Sequence, residues 1–101
     1  MENKNLIARF KLGDKEAFAE LIGSIQSKAQ NGIARIIRDA EMSKDCWQNS
    51  LLRCWISRAQ FRGDCAFSSW FYCIIRTEAL ILLRNNKTKC KLLLINASDV
   101  F

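Results

Sequence analysis

The chain has 101 residues, half of them hydrophobic and 26% charged, with no proline, four glycines and a net charge of +6. That length holds one domain with a single modest core, and that balance excludes a disordered chain. The absence of histidine argues against zinc chemistry, the absence of a long apolar run argues against a membrane span, and the positive charge invites an anionic partner.

Leu, Ile, Ala, Lys and Arg dominate and breakers are scarce, so an all-α fold is expected. Asn5 is placed to cap a short first helix through Leu12, with Gly13 as its stop. Asp14 then caps a longer helix to about Arg38, in which Phe18, Ile22, Ile25, Ala29, Ile33 and Ile36 form one apolar stripe and Gly32 is a soft spot. Ser43 is the next expected N-cap. Beyond it Trp47, Leu51, Cys54 and Trp55 make a core stripe, while Asp45, Gln48, Asn49, Leu52 and Ile56 share another face. A polar stripe ending in two aliphatics suits either a partner-binding face or an ordinary solvated one.

Arg58 to Asp64 reads as a loop in which Gly63 is free to take a positive φ. Asp64 is expected to cap the last main helix, from Cys65 to about Arg84. On that helix Phe67, Phe71, Ile74 and Leu82 face the core, with Ser69, Tyr72, Cys73, Arg76 and Arg84 on or near the opposite side. A basic segment and the sequence LLLINASDVF, without clear periodicity, complete the chain. The expected architecture is therefore a compact helical domain of three main helices plus a short N-terminal one.

Charge is unevenly distributed. Residues 1–50 carry eight Lys/Arg against seven Asp/Glu, whereas residues 51–91 carry eight against two. In the basic half, aromatic residues crowd around the Phe61-Arg62-Gly63-Asp64 loop. Aromatics beside cations suit a surface that holds unstacked bases and a phosphate backbone. The five cysteines form no C-x-x-C pair and mostly occupy helical positions, usage that fits a reducing cytoplasm. No leader is read at the N-terminus, so a cytoplasmic location is expected. Neither a nucleophile–base arrangement nor a glycine-rich phosphate loop is legible, and the chain is expected to be no enzyme and to use no cofactor or metal.

Three motifs occur in order: GDKEAFAEL from Gly13, D-x-x-Q-x-x-L-L-R-x-W from Asp45, and F-R-G-D-x-x-F-x-x-W-F-Y-x-I from Phe61. Together they resemble the region 2 domain of an extracytoplasmic-function (ECF) sigma factor of bacterial RNA polymerase, over about Leu6 to Lys89. The resemblance implies a sigma region 2-like domain over residues 1–89 and a tail over 90–101, without the region 4 domain. It implies that Asp45, Gln48, Asn49, Leu52 and Arg53 contact the clamp of the core polymerase β′ subunit. It also implies that Phe61, Arg62, Gly63 and Asp64 in the loop, with Ser69, Trp70, Tyr72 and Arg76 on the helix, recognise and melt the promoter −10 element on its non-template strand. Of the aromatics, Trp47 and Trp55 are read as core, Trp70 and Phe71 as core or support, and Tyr72 as the exposed platform.

The chain departs from the family pattern at several points. Asn49 replaces the acidic residue of the family's Gln-Glu pair, Ser68 and Cys73 stand where arginine is common, and Thr77 and Ile81 replace Asn and Asp. These losses of charge keep a second reading open, in which a sigma-like decoy or adaptor binds polymerase or an anti-sigma factor without productive promoter contact. A separate chain supplying region 4 is a further candidate partner. A weaker third reading is a basic helical domain that binds any nucleic acid.

Overall fold

The structure, a computed structural model, describes residues 4–85. The readings that fall on the tail after Asn85 lie outside the described residues. Five α-helices follow in order: α1 (Lys4–Lys11), α2 (Lys15–Gly23), α3 (Gln26–Ile36), α4 (Ala40–Ile56) and α5 (Phe67–Asn85). A short 3-10 turn, Arg58–Gln60, follows α4. No strand occurs among the described residues, and the all-α expectation holds.

The first helix is stopped by Gly13, whose φ of 97° only glycine adopts cheaply. Asp14 then caps α2 as the sequence predicts, its Oδ1 accepting from the backbone N–H groups of Glu16 and Ala17 at 2.9 and 3.2 Å. Its other carboxylate oxygen takes a hydrogen bond from Arg9 Nε at 2.8 Å. That guanidinium, and then the Ala17 N–H, hold the Asp14 carboxyl below the usual carboxylate range.

The single helix expected from Asp14 to Arg38 is in fact two. It breaks at Gly23, Ser24 and Ile25, not at Gly32. Gly23 adds no side chain to hold the turn, the Ser24 hydroxyl donates to Leu21 O at 2.8 Å, and Ile25 N–H donates to Ile22 O at 3.0 Å in a tighter turn. The break redirects the chain, so α2 packs mainly with α1 while α3 packs on α4 and α5. The apolar stripe survives it: Ile22, Ala29, Ile33 and Ile36 are buried, and Phe18 and Ile25 pack against them.

Two other predicted caps move. Asp39, not Ser43, caps α4, its Oδ1 accepting from Met42 N at 3.0 Å, while the Ser43 hydroxyl donates back to Ile37 O at 3.0 Å. Asp64 lies three residues ahead of α5, which starts at Phe67 and not at Cys65, and it pairs with Arg62 in the loop at 3.0 Å. The last buried residue of α5 is Leu83, with Leu82 only partly covered.

The core is an aromatic cluster. Phe10 stacks on Phe18 at 5.4 Å between ring centres and meets Phe67 edge-on, also at 5.4 Å. Phe67 in turn touches Phe61, Trp70 and Phe71. Phe67 therefore joins α1, the loop and α5 at one point.

Candidate functional site

Two faces stand out on the α4–α5 pair. The first is the outer side of α4. Asp45, Gln48, Asn49, Leu52 and Arg53 are all exposed, and the steps of three and four from 45 to 48 and 49 and on to 52 and 53 keep them on one helix face. Leu52 at 59% and Ile56 at 68% exposure are large apolar side chains in water. Beside them lies a hollow of about 230 Å3 walled by Asn49, Leu52, Ile56 and Glu78 among others.

Arg53 differs from its neighbours. It reaches across to α5, where its Nε donates to Glu78 Oε2. Glu78 is itself buried, its side chain 9% exposed, while that of Arg53 remains half in water. An acidic residue on the apolar side of α5 needs a cation to compensate its burial. Arg53 thus ties the two helices together as well as edging the outer face.

The second face comprises the loop before α5 and the exposed side of α5. Arg62, Gly63 and Asp64 are exposed, and Gly63 has a φ of 84°, the positive value expected of it. Phe61 is 2% exposed and turned inward, tilted against Trp70 at 5.0 Å and edge-on to Phe67 at 6.0 Å. It anchors the loop and offers no free ring face to a ligand. Trp70 is half-buried beside it. Behind the loop, a groove of about 270 Å3 is walled by Arg53, Gln60, Trp70, Cys73 and Thr77 among others.

Further along the same side of α5, Ser69, Tyr72, Cys73 and Arg76 surround a hollow of about 210 Å3. The one-turn spacing from Ser69 to Tyr72 to Arg76 lines them up. Tyr72 is half-buried, which pushes its phenol above the ordinary value and keeps it neutral at physiological pH. Arg76 is partly covered, and its Nε meets no acceptor among the described residues.

Sequence inspection missed two participants. Lys28 of α3 lies over the Tyr72 ring, its Nζ 5.7 Å from the ring centre. Nothing in a pair 44 positions apart signals that contact. Glu78 did carry a signal, since it follows Phe67, Phe71 and Ile74 at helical spacing on the buried side of α5. Arg58, by contrast, belongs to the scaffold. Its guanidinium covers the Trp55 ring at 4.3 Å and its Nη1 donates to Trp55 O at 2.8 Å.

Burial pushes the Cys46 thiol up to about 11 and that of Cys54 up to about 12, so both behave as small apolar core groups. Cys65 and Cys73 are exposed. Among the described residues no group of His, Cys, Asp and Glu could hold a metal ion, and no helix is long and apolar enough to cross a membrane.

Comparison with known proteins places this geometry in context. The chain is 34% identical over 71 residues to the RNA polymerase sigma-H factor of Pseudomonas aeruginosa, covering 70% of this chain and 37% of that one. It is 31% identical over 72 residues to the ECF RNA polymerase sigma-E factor of Haemophilus influenzae, covering 71% and 38%. It is 32% identical over 67 residues to the ECF RNA polymerase sigma-E factor of Salmonella typhimurium, covering 66% and 35%. The chain therefore spans little more than a third of the length of the curated relatives it matches. No protein-family model matches it.

Proposed function

Since over its matched segment the chain belongs to the RNA polymerase sigma factors of ECF type, we propose that it is the region 2 module of such a factor. In this reading it is a non-enzymatic part of the transcription-initiation machinery. The outer face of α4 binds the clamp of the core polymerase β′ subunit through Asp45, Gln48, Asn49 and Leu52, with Arg53 at its edge. The loop and outer side of α5 engage the non-template strand of the promoter −10 element. The observation that carries the reading is the pair of faces itself: exposed aliphatics with little charge on α4, half-buried aromatics with cations on α5.

The chemistry assigns different roles within the second face. Unstacking a base costs a few kcal/mol, which an aromatic platform and a closely fitting hollow offset. Tyr72 is the platform, Ser69 and Arg76 the polar walls, and Arg62 a phosphate contact. Phe61, Trp70, Gly63 and Asp64 act one step back. The buried Phe61 ring fixes the loop against Trp70, Gly63 lets the backbone turn, and Asp64 holds Arg62.

Cys73, at the junction of groove and hollow where the family often carries arginine, favours a second reading. In it the same domain acts as a decoy or adaptor that binds polymerase or an anti-sigma factor and contacts DNA weakly.

Co-purification of the full chain with core RNA polymerase tests the reading, alongside a Gln48→Ala, Leu52→Ala double variant. Retention of the native chain and loss of the variant is the expected result. Absence of both from the polymerase fraction would overturn the polymerase-binding role. Retention on polymerase without binding to single-stranded −10-like DNA would leave the decoy.

A further inference from the structure

Lys28 lies on α3, outside all three motifs, and its ammonium meets Tyr72 over the ring face at 5.7 Å. α3 packs against α5, and Lys28 is otherwise exposed. It forms no ion pair among the described residues. Lys28 is not among the walls of the hollow made by Ser69, Tyr72, Cys73 and Arg76. Tyr72 thus carries a cation over its ring and also lines the hollow.

We propose that Lys28 is a positioning residue for single-stranded DNA: its ammonium braces one face of the Tyr72 ring so that an unstacked base stacks on the other. The inference rests on the DNA reading above. Three physical effects combine. An ammonium over a tyrosine face is attracted by the ring quadrupole. A phenol ring half in water would otherwise lose rotamer freedom when a base stacks on it, and a ring already held loses less. The brace also occupies one face, so only one base can use the platform. Arg76, which lines the hollow beside Tyr72, supplies a cation for the phosphate of that nucleotide.

The test measures binding of the full chain to labelled, adenine- and thymine-rich single strands, each beside a set with one abasic position walked along it. The abasic position with the largest penalty is scored. The native chain is expected to prefer the intact strand by roughly ten-fold, as stacking on one aromatic provides. Lys28→Ala should cut that preference by about two- to five-fold. Lys28→Arg should retain it, because a guanidinium also sits well over a ring. Arg35→Ala removes the same charge from the exposed side of the same helix; it should weaken intact and abasic strands alike. If Lys28→Ala also weakens both alike, the lysine is a plain charge and the inference is overturned while the DNA reading stands. If the native chain has no preference for any base, the DNA reading fails and takes the inference with it.

Discussion

The outer face of α4 and the outer side of α5 belong to two helices packed on one core, yet they present opposite chemistry. On α4, Leu52 and Ile56 stand in solvent among short polar side chains, and the nearby cation, Arg53, is drawn toward Glu78. On α5, Tyr72 and Trp70 are half-withdrawn, Arg76 stands one turn from Tyr72, and Lys28 of the neighbouring α3 lies over the Tyr72 ring. Apolar area in water gains most by meeting another protein surface. A ring edged by cations gains most by meeting a base and its phosphate. In the proposed reading, one small fold separates its two kinds of partner by helix face, with the Arg53–Glu78 pair as the tie between the helices.

Breaking the core should abolish both faces together. Phe67→Ala removes the ring that touches Phe10, Phe61, Trp70 and Phe71, and is expected to cost about 3–5 kcal/mol in denaturant unfolding. Selective loss of one face with unchanged stability would show that the faces do not share this core.

The tie between the helices should respond asymmetrically. Arg53→Ala strands the buried Glu78 carboxylate and should cost about 1–3 kcal/mol, less than a fully buried pair because Arg53 is half in water. Glu78→Gln leaves an amide acceptor and an arginine that water can solvate, and should cost less. Equal losses in urea titrations would mean that the pair contributes little beyond packing.

Charge on the DNA face should show in salt dependence. Arg76→Ala is expected to weaken single-strand binding several-fold and to lower the slope of log affinity against log salt by about 0.7, the share of one phosphate contact. Gln48→Ala should leave that slope untouched, since it lies on the other face. An unchanged slope in Arg76→Ala would remove the phosphate contact from the reading.

The smallest effect concerns thiols. At pH 8 a thiol reagent should label Cys65 and Cys73 quickly and leave Cys46 and Cys54 unlabelled until unfolding, because burial holds the latter two at about 11 and 12. Bound DNA should slow labelling of Cys73, which lines the hollow, more than polymerase bound at α4 does. Equal protection by both would blur the division between the faces.

Much of this was legible in the residues. The Gly13–Asp14 stop-and-cap, the positive φ of Gly63, the exposed stripe on α4 and the buried stripe of α3 follow from backbone sterics and helical period. These are local rules that need no knowledge of the rest of the chain. The kink at Gly23 to Ile25 was not legible, because an apolar stripe continues across it. Only the competing demands of α1 on one side and of α4 and α5 on the other divide it. Ser43 and Asp64 are acceptable caps by composition, and each lost to a closer alternative: Asp39 ahead of α4, and Arg62 as partner for Asp64.

By itself the sequence determined the helical class, the basic second half and the order of the motifs, because period, charge and short-range capping are written in adjacent residues. Tertiary structure alone decided that Phe61 is an anchor, that Arg53 binds Glu78 and that Lys28 lies over Tyr72. Each of those depends on which helices pass one another, and close approach between residues far apart in the chain is a property of the packed core.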